Sequence, residues 1–157
     1  MLIQTLTKGP EKVFVVVKNG DAGAMVKGQI CVWSMDGTDD GIDVEDISAA
    51  KNPLVVGTTD AAIPVGEYGL VQVYGLDDDA IVQDHGIATN SNIAVGDVFK
   101  LDSTIEGLSA TINGAAWNTA IASNSVVGFP MFVAAEVVTS GGAATGSTTA
   151  KVFIRCL

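Results

Sequence analysis

Charge is scarce in this chain. Only 17% of its 157 residues are charged, against about 25% in an average domain. Bases are scarcer still: eight Lys and Arg stand against 18 Asp and Glu, giving a formal net charge of −10 and an isoelectric point near 4.2. Such a chain offers no basic patch to neutralise phosphates, which argues against nucleic acid and against an anionic membrane surface as partners. Aromatics make up 6% of the residues and histidine occurs once. The two cysteines, Cys31 and Cys156, form no CxxC pair; in a chain made in the cytosol they read as buried thiols rather than a disulfide. One histidine and two distant cysteines fall short of the four N/S ligands of structural zinc. No apolar run approaches the ~20 residues that span a bilayer. Met1–Leu6 lacks the basic start and the longer apolar stretch of a secretory signal, and no Asn-x-Ser/Thr acceptor occurs.

What the chain does have is small apolar residues and turns. It is 48% hydrophobic with 18 glycines, and its mean hydropathy is +0.40. That excludes wholesale disorder, which goes with low hydrophobicity. Short β-type runs recur between turn residues: Val13–Val17 before Asn19-Gly20-Asp21, Gln29–Trp33 before Asp36-Gly37, Leu54–Val56, Leu70–Tyr74 stopping at Gly75, Val98–Leu101, Ser109–Ile112 before Asn113-Gly114, Phe132–Val138 and Val152–Leu157. The two Asn-Gly pairs are the strongest two-residue hairpin signals. Ser140–Thr149, rich in Gly, Ser, Thr and Ala, reads as a hairpin loop between the last two runs. One helix is expected, Val44–Lys51, with acids near its start and Asn52-Pro53 to stop it. The fold class is therefore mainly β: a small sandwich or barrel-like domain of short antiparallel strands with long loops and at most one short helix. It is organised as an N-terminal arm, residues 1–12, and a single β-rich domain, residues 13–157. Three segments echo one another: Val26-Lys27-Gly28-Gln29, Val65-Gly66-Glu67 and Val95-Gly96-Asp97 each precede a β run. They read as turns whose glycine adopts positive φ.

Catalytic constellations are thin. His85, in Gln83-Asp84-His85-Gly86, has no G-x-S-x-G nucleophile beside it; Gly107-Leu108-Ser109-Ala110-Thr111 fails at its last position. No phosphate-cradling motif occurs, so no cofactor and no enzymatic activity are expected. Asp36-Gly37-Thr38-Asp39-Asp40-Gly41 begins like a calcium loop, which makes Asp36, Asp39 and Asp40 weak calcium candidates. However, Ile47 stands where an EF-hand needs its bidentate Glu. A solvated acidic loop is the plainer reading, as is a charged loop tip for Asp77-Asp78-Asp79. Half of the 18 acids lie in Asp36–Asp46 and Asp77–Asp79. In the last strand Val152, Ile154 and Cys156 share one face, expected to be core. Lys151, Phe153, Arg155 and Leu157 share the other, free to meet a neighbour. Tyr68 and Trp117 sit among small and polar residues, as core aromatics or as interface anchors.

Val65-Gly66-Glu67-Tyr68-Gly69-Leu70-Val71-Gln72-Val73-Tyr74-Gly75 resembles the glycine-bounded strand step of tailed-bacteriophage capsid decoration (head cement) proteins. Val95-Gly96-Asp97-Val98-Phe99-Lys100-Leu101 is similar to the turn and strand that follow it in that group, and Phe132–Val138 and Lys151–Leu157 to its closing strands. The similarity covers roughly residues 22–157. It implies a structural virion protein on the outside of an icosahedral capsid, made in the host bacterial cytoplasm. Such a protein is a homotrimer that cements neighbouring major capsid subunits and stabilises the expanded shell. The acidic segment Asp36–Asp46 and the loop Ser140–Thr149 depart from that pattern. The residues expected at interfaces are Met1, Leu2, Ile3 and Leu6 of the arm, which could add to a neighbour's sheet edge, with Tyr68, Trp117, Phe153 and Arg155. Two other classes compete: a head-fibre or carbohydrate- or receptor-binding β module, and a small hydrolase or isomerase using His85 with Asp84.

Overall fold

The computed structural model describes residues 11–34, 41–47, 55–83, 93–96, 98–102, 107–110, 132–137 and 147–156. Among these are nine strands and no helix. They are β1 (Val13–Asn19), β2 (Ile30–Trp33), β3 (Asp43–Asp46), β4 (Val55–Thr59), β5 (Tyr68–Gln83), β6 (Phe99–Asp102), β7 (Gly107–Ala110), β8 (Phe132–Ala134) and β9 (Ser147–Arg155). The domain is mainly β, and its architecture is a barrel with additional strands.

Five strands close on themselves. β1 pairs with β3 and β5, β3 with β2, β2 with β4, and β4 with β5. The interior is filled by Val17, Met25, Cys31, Val44, Val56, Ile63, Val71 and Val73, with Trp33 and Cys156 packed against them. A five-stranded ring has room only for side chains, and compact branched ones suit it. This is the physical sense of a valine-rich, aromatic-poor composition. The remaining strands grow from the second half of β5. β9 pairs with β5 and β8 with β9; β7 pairs with β5 and β6 with β7; a single bridge, Val98 to Val133, links the outer two. They enclose a second core that includes Ala80, Val82, Phe132, Val152 and Ile154, set against Ile30, Val32 and Val55 on the outside of the barrel. β2 and β4 are thus buried on both faces, which explains their unbroken apolar runs.

Several expectations change. Val44–Lys51 does not begin as a helix: Asp43–Asp46 is β3, held by β1 on one side and β2 on the other, with Val44 in the barrel core. Pairing on two sides outweighs the weak helical preference of acids near a start. Residues 48–51 lie outside the described residues. Not all strands are short and antiparallel: β1–β3 and β5–β7 are parallel pairs, and β5 has 16 residues. Asn19-Gly20 makes no tight hairpin. Gly20 N instead extends the β1–β3 pairing, donating to Val44 O at 2.9 Å. Buried Asn19 pins the following loop: its Nδ2 donates to Gly23 O and Ile63 O, both at 2.9 Å, and its Oδ1 accepts from Asp21 N at 2.9 Å. Gly75 does not end a strand either. The β5 chain passes through it, and a Cβ there would stand 2.1 Å from Glu11 O.

Asp77-Asp78-Asp79 is not a loop tip. It lies inside β5 at a bulge where the register with β9 shifts between Asp77 and Ala80. Each carboxylate takes a different direction. Asp77 Oδ2 accepts from Thr58 Oγ1 at 2.5 Å and its Oδ1 from Asp79 N at 3.0 Å. Asp78 lies 3.7 Å from Lys12 Nζ and 3.9 Å from Lys151 Nζ, and Asp79 lies 2.7 Å from Lys27 Nζ. Three of the few lysines are spent on this bulge. Ser147–Thr149, read as loop, are the start of β9, which pairs with β8 as expected. The Asn113-Gly114 turn lies outside the described residues.

The three echoing segments are three copies of one turn. A buried residue (Met25, Ile63 or Ile93) leads into it, and the glycine has positive φ: 76° at Gly28, 74° at Gly66 and 92° at Gly96. Gln29 N donates to Val26 O at 3.3 Å, and Glu67 N to Pro64 O at 3.1 Å. Met25 and Ile63 also bridge each other, so two copies meet at one end of the barrel.

Candidate functional site

Among the described residues, the second layer covers the barrel over β2 and β4, and no strand lies over the side formed by β1 and the start of β5. On β1, Val13, Val15 and Val17 face the interior. By period two, Phe14, Val16 and Lys18 face out. Register sets Val16 directly opposite Leu70, Lys18 opposite Tyr68 and Phe14 opposite Gln72. The transition from cover to exposure is sharp: Gln72 is 2% exposed, whereas Leu70 is 45%, Val16 63% and Tyr68 61% exposed. Single exposed apolar residues are ordinary, but adjoining ones mark a contact surface.

Beyond buried Gln72 the same side of β5 carries a second stretch, which extends onto β9. Tyr74 is opposite Arg155, and Leu76 opposite Phe153. The Tyr74 and Phe153 rings meet edge-to-face with centroids 5.4 Å apart. Val152 and Ile154 are buried while Phe153 and Arg155 are exposed, as the alternation of the last strand implies. These five cross-strand pairs contain two cations, Lys18 and Arg155, and no carboxylate. On a molecule of net charge −10 that is a local exception.

Of the residues expected at interfaces, the structure brings Tyr68, Phe153 and Arg155 onto this surface. Met1, Leu2, Ile3, Leu6 and Trp117 lie outside the described residues, as do His85 and the calcium candidates Asp36, Asp39 and Asp40. Sequence reasoning missed Val16 and Leu70. The signal was present, because Val13–Val17 is apolar at both parities. A strand apolar on both faces is either covered twice or awaits a partner.

Chemistry is sparse here. Among the described residues no three His, Cys, Asp or Glu side chains gather as metal ligands, and no helix is long and apolar enough to cross a membrane. Cys31 and Cys156 are free thiols, each pushed up to about 12 chiefly by burial, so neither offers a thiolate nucleophile near neutrality. No protein-family model matches this chain, and a search of curated proteins finds no match either.

Proposed function

We propose that this chain is a structural virion protein that binds the outer surface of an icosahedral phage capsid and cements neighbouring major capsid subunits. The observation that carries the reading is the open side of the barrel, where Val16, Leu70 and Tyr68 stand exposed on paired strands. A rigid closed barrel presents such a face with little loss of conformational entropy on docking. The resemblance in residues 65–75 and 95–101 supplies the partner class. The mechanism is mass action: a protein that binds only the expanded shell stabilises that shell by its binding free energy.

Co-sedimentation with purified expanded shells tests this. Wild-type protein pellets with shells, and Leu70→Lys, which places a charge in the apolar face, loses most of that occupancy while remaining folded. Wild-type protein left in the supernatant sinks the proposal. Exposed Tyr68 is the one observation that favours a carbohydrate-binding module instead. Glycan-array binding lost in Tyr68→Ala would establish that second reading.

A further inference from the structure

We propose that Arg155 is the charged anchor of the shell contact and that its guanidinium receives a carboxylate, an Asp or Glu side chain that the capsid subunit presents among apolar residues. The inference rests on the capsid reading and adds the chemistry of the shell site to it. Arg155 is the chain's one arginine, and it is exposed. The strands hold its backbone in place. Tyr74 of β5 lies opposite it, the preceding Ile154 pairs with Phe132 of β8, and the N–H of the following Cys156 donates to Val73 O at 2.9 Å. An anchor fixed in this way loses mainly side-chain freedom on docking.

Its setting is apolar. Phe153 shares the face of Arg155 at period two and is 38% exposed, and its ring meets that of Tyr74 edge-to-face with centroids 5.4 Å apart. Leu76 lies opposite Phe153. Arginine and tyrosine are enriched among the residues that dominate binding where apolar neighbours shut water out. A charge pair gains strength as that water leaves.

Charge decides the kind of partner. Lys12, Lys18, Lys27 and Lys151 each have an aspartate of the same chain, Asp78, Asp43 or Asp79, at 2.7–3.9 Å from Nζ. Arg155 pairs across the strands with Tyr74, and among the described residues no carboxylate lies within 4 Å of its guanidinium. The positive charge left to meet a partner on this surface is therefore at Arg155. A guanidinium takes a carboxylate or a phosphate through two parallel N–H···O bonds. The net charge of −10 disfavours a row of phosphates far more than one carboxylate set in an apolar surface.

Titration of purified expanded shells, read by co-sedimentation, tests the proposal. Arg155→Met keeps an apolar stem and removes the charge; it is expected to weaken shell binding at least about tenfold with wild-type circular dichroism. Arg155→Gln serves in its place if the methionine variant does not fold. Arg155→Lys keeps the charge without the fork and recovers part of the loss, whereas Arg155→Glu weakens binding further than Arg155→Met. The gap between wild type and Arg155→Met closes on shells whose exposed carboxylates have been amidated with a carbodiimide and ethanolamine. Wild-type protein that does not pellet overturns this inference together with the capsid reading. Wild-type protein that pellets while folded Arg155→Met pellets equally well, or a gap that persists on amidated shells, overturns this inference alone.

Discussion

At the scale of single residues, two glycines with nearly the same backbone do different work. Gly28 and Gly66 occupy the same position in two copies of one turn, at φ 76° and 74°. A Cβ on Gly66 would meet nothing within 4 Å, whereas one on Gly28 would stand 1.9 Å from Asp79 O in the bulge of β5. Gly66→Ala is therefore expected to cost only the left-handed backbone penalty, about 1–2 kcal/mol. Gly28→Ala adds an overlap with backbone, on the order of 1–3 kcal/mol more. Denaturant midpoints of the two variants measure the difference; equal midpoints would show that β5 moves aside freely. The echo of these turns was legible in the sequence, because glycine at a strand entrance has a local cause. Which glycine has a neighbour was not, because Asp79 lies 51 positions downstream.

Among elements, β5 organises the molecule. It pairs with β1 and β4 through its first half and with β9 and β7 through its second, so it belongs to both cores. The bulge at Asp77–Asp79 lies between the halves, and the hydrogen bond from buried Thr58 to Asp77 ties it to β4. Thr58→Val keeps the shape and deletes the donor, leaving a carboxylate that is only 8% exposed without that partner. The expected loss is about 1–3 kcal/mol of unfolding free energy. An unchanged unfolding curve would mean that the lysines around Asp78 and Asp79 hold the bulge unaided. Gly75 and three adjacent acids look like a strand end followed by a loop, because local reading sees a breaker and a charge run. Lys12, Lys27, Lys151 and Thr58, distant in sequence, make a continuous strand affordable there. The same logic made β3 a strand rather than a helix.

For the molecule as a whole, the two cores are joined through β2, β4 and Cys156, which packs against both. Cys31 lies opposite Gly57, and Cys156 N donates to Val73 O at 2.9 Å, so the thiols tie β2 and the end of β9 to the same barrel interior. Burial, reinforced at Cys31 by the neighbouring Cys156, pushes both thiols from 9.0 up to about 12. Well below pH 9 both thiols are protonated whether the chain is folded or not, and they add no pH dependence there. Above it the unfolded chain releases protons that the folded chain keeps, so stability falls as pH rises from about 9 toward 12, by at most about 1.4 kcal/mol per pH unit for each thiol. Melting temperatures from pH 8 to 10.5 should fall more steeply for wild type than for the Cys31→Ala, Cys156→Ala double variant. Parallel curves would mean the thiols are not shielded. The candidate surface also belongs to this scale, because exposure is decided by which side of the barrel the second layer leaves open.

By itself the sequence determined the β class, the three glycine turns at Gly28, Gly66 and Gly96 and the alternation of the last strand, since turn chemistry and period-two patterning act within a few residues. It also determined a surface poor in cations. Only the tertiary structure decided that five strands close into a barrel, that β2 and β4 are buried twice, and that Val16 and Leu70 stand side by side in the open. Those outcomes depend on register between strands far apart in the chain, and a strand apolar on both faces reads the same whether it is covered on two sides or on one.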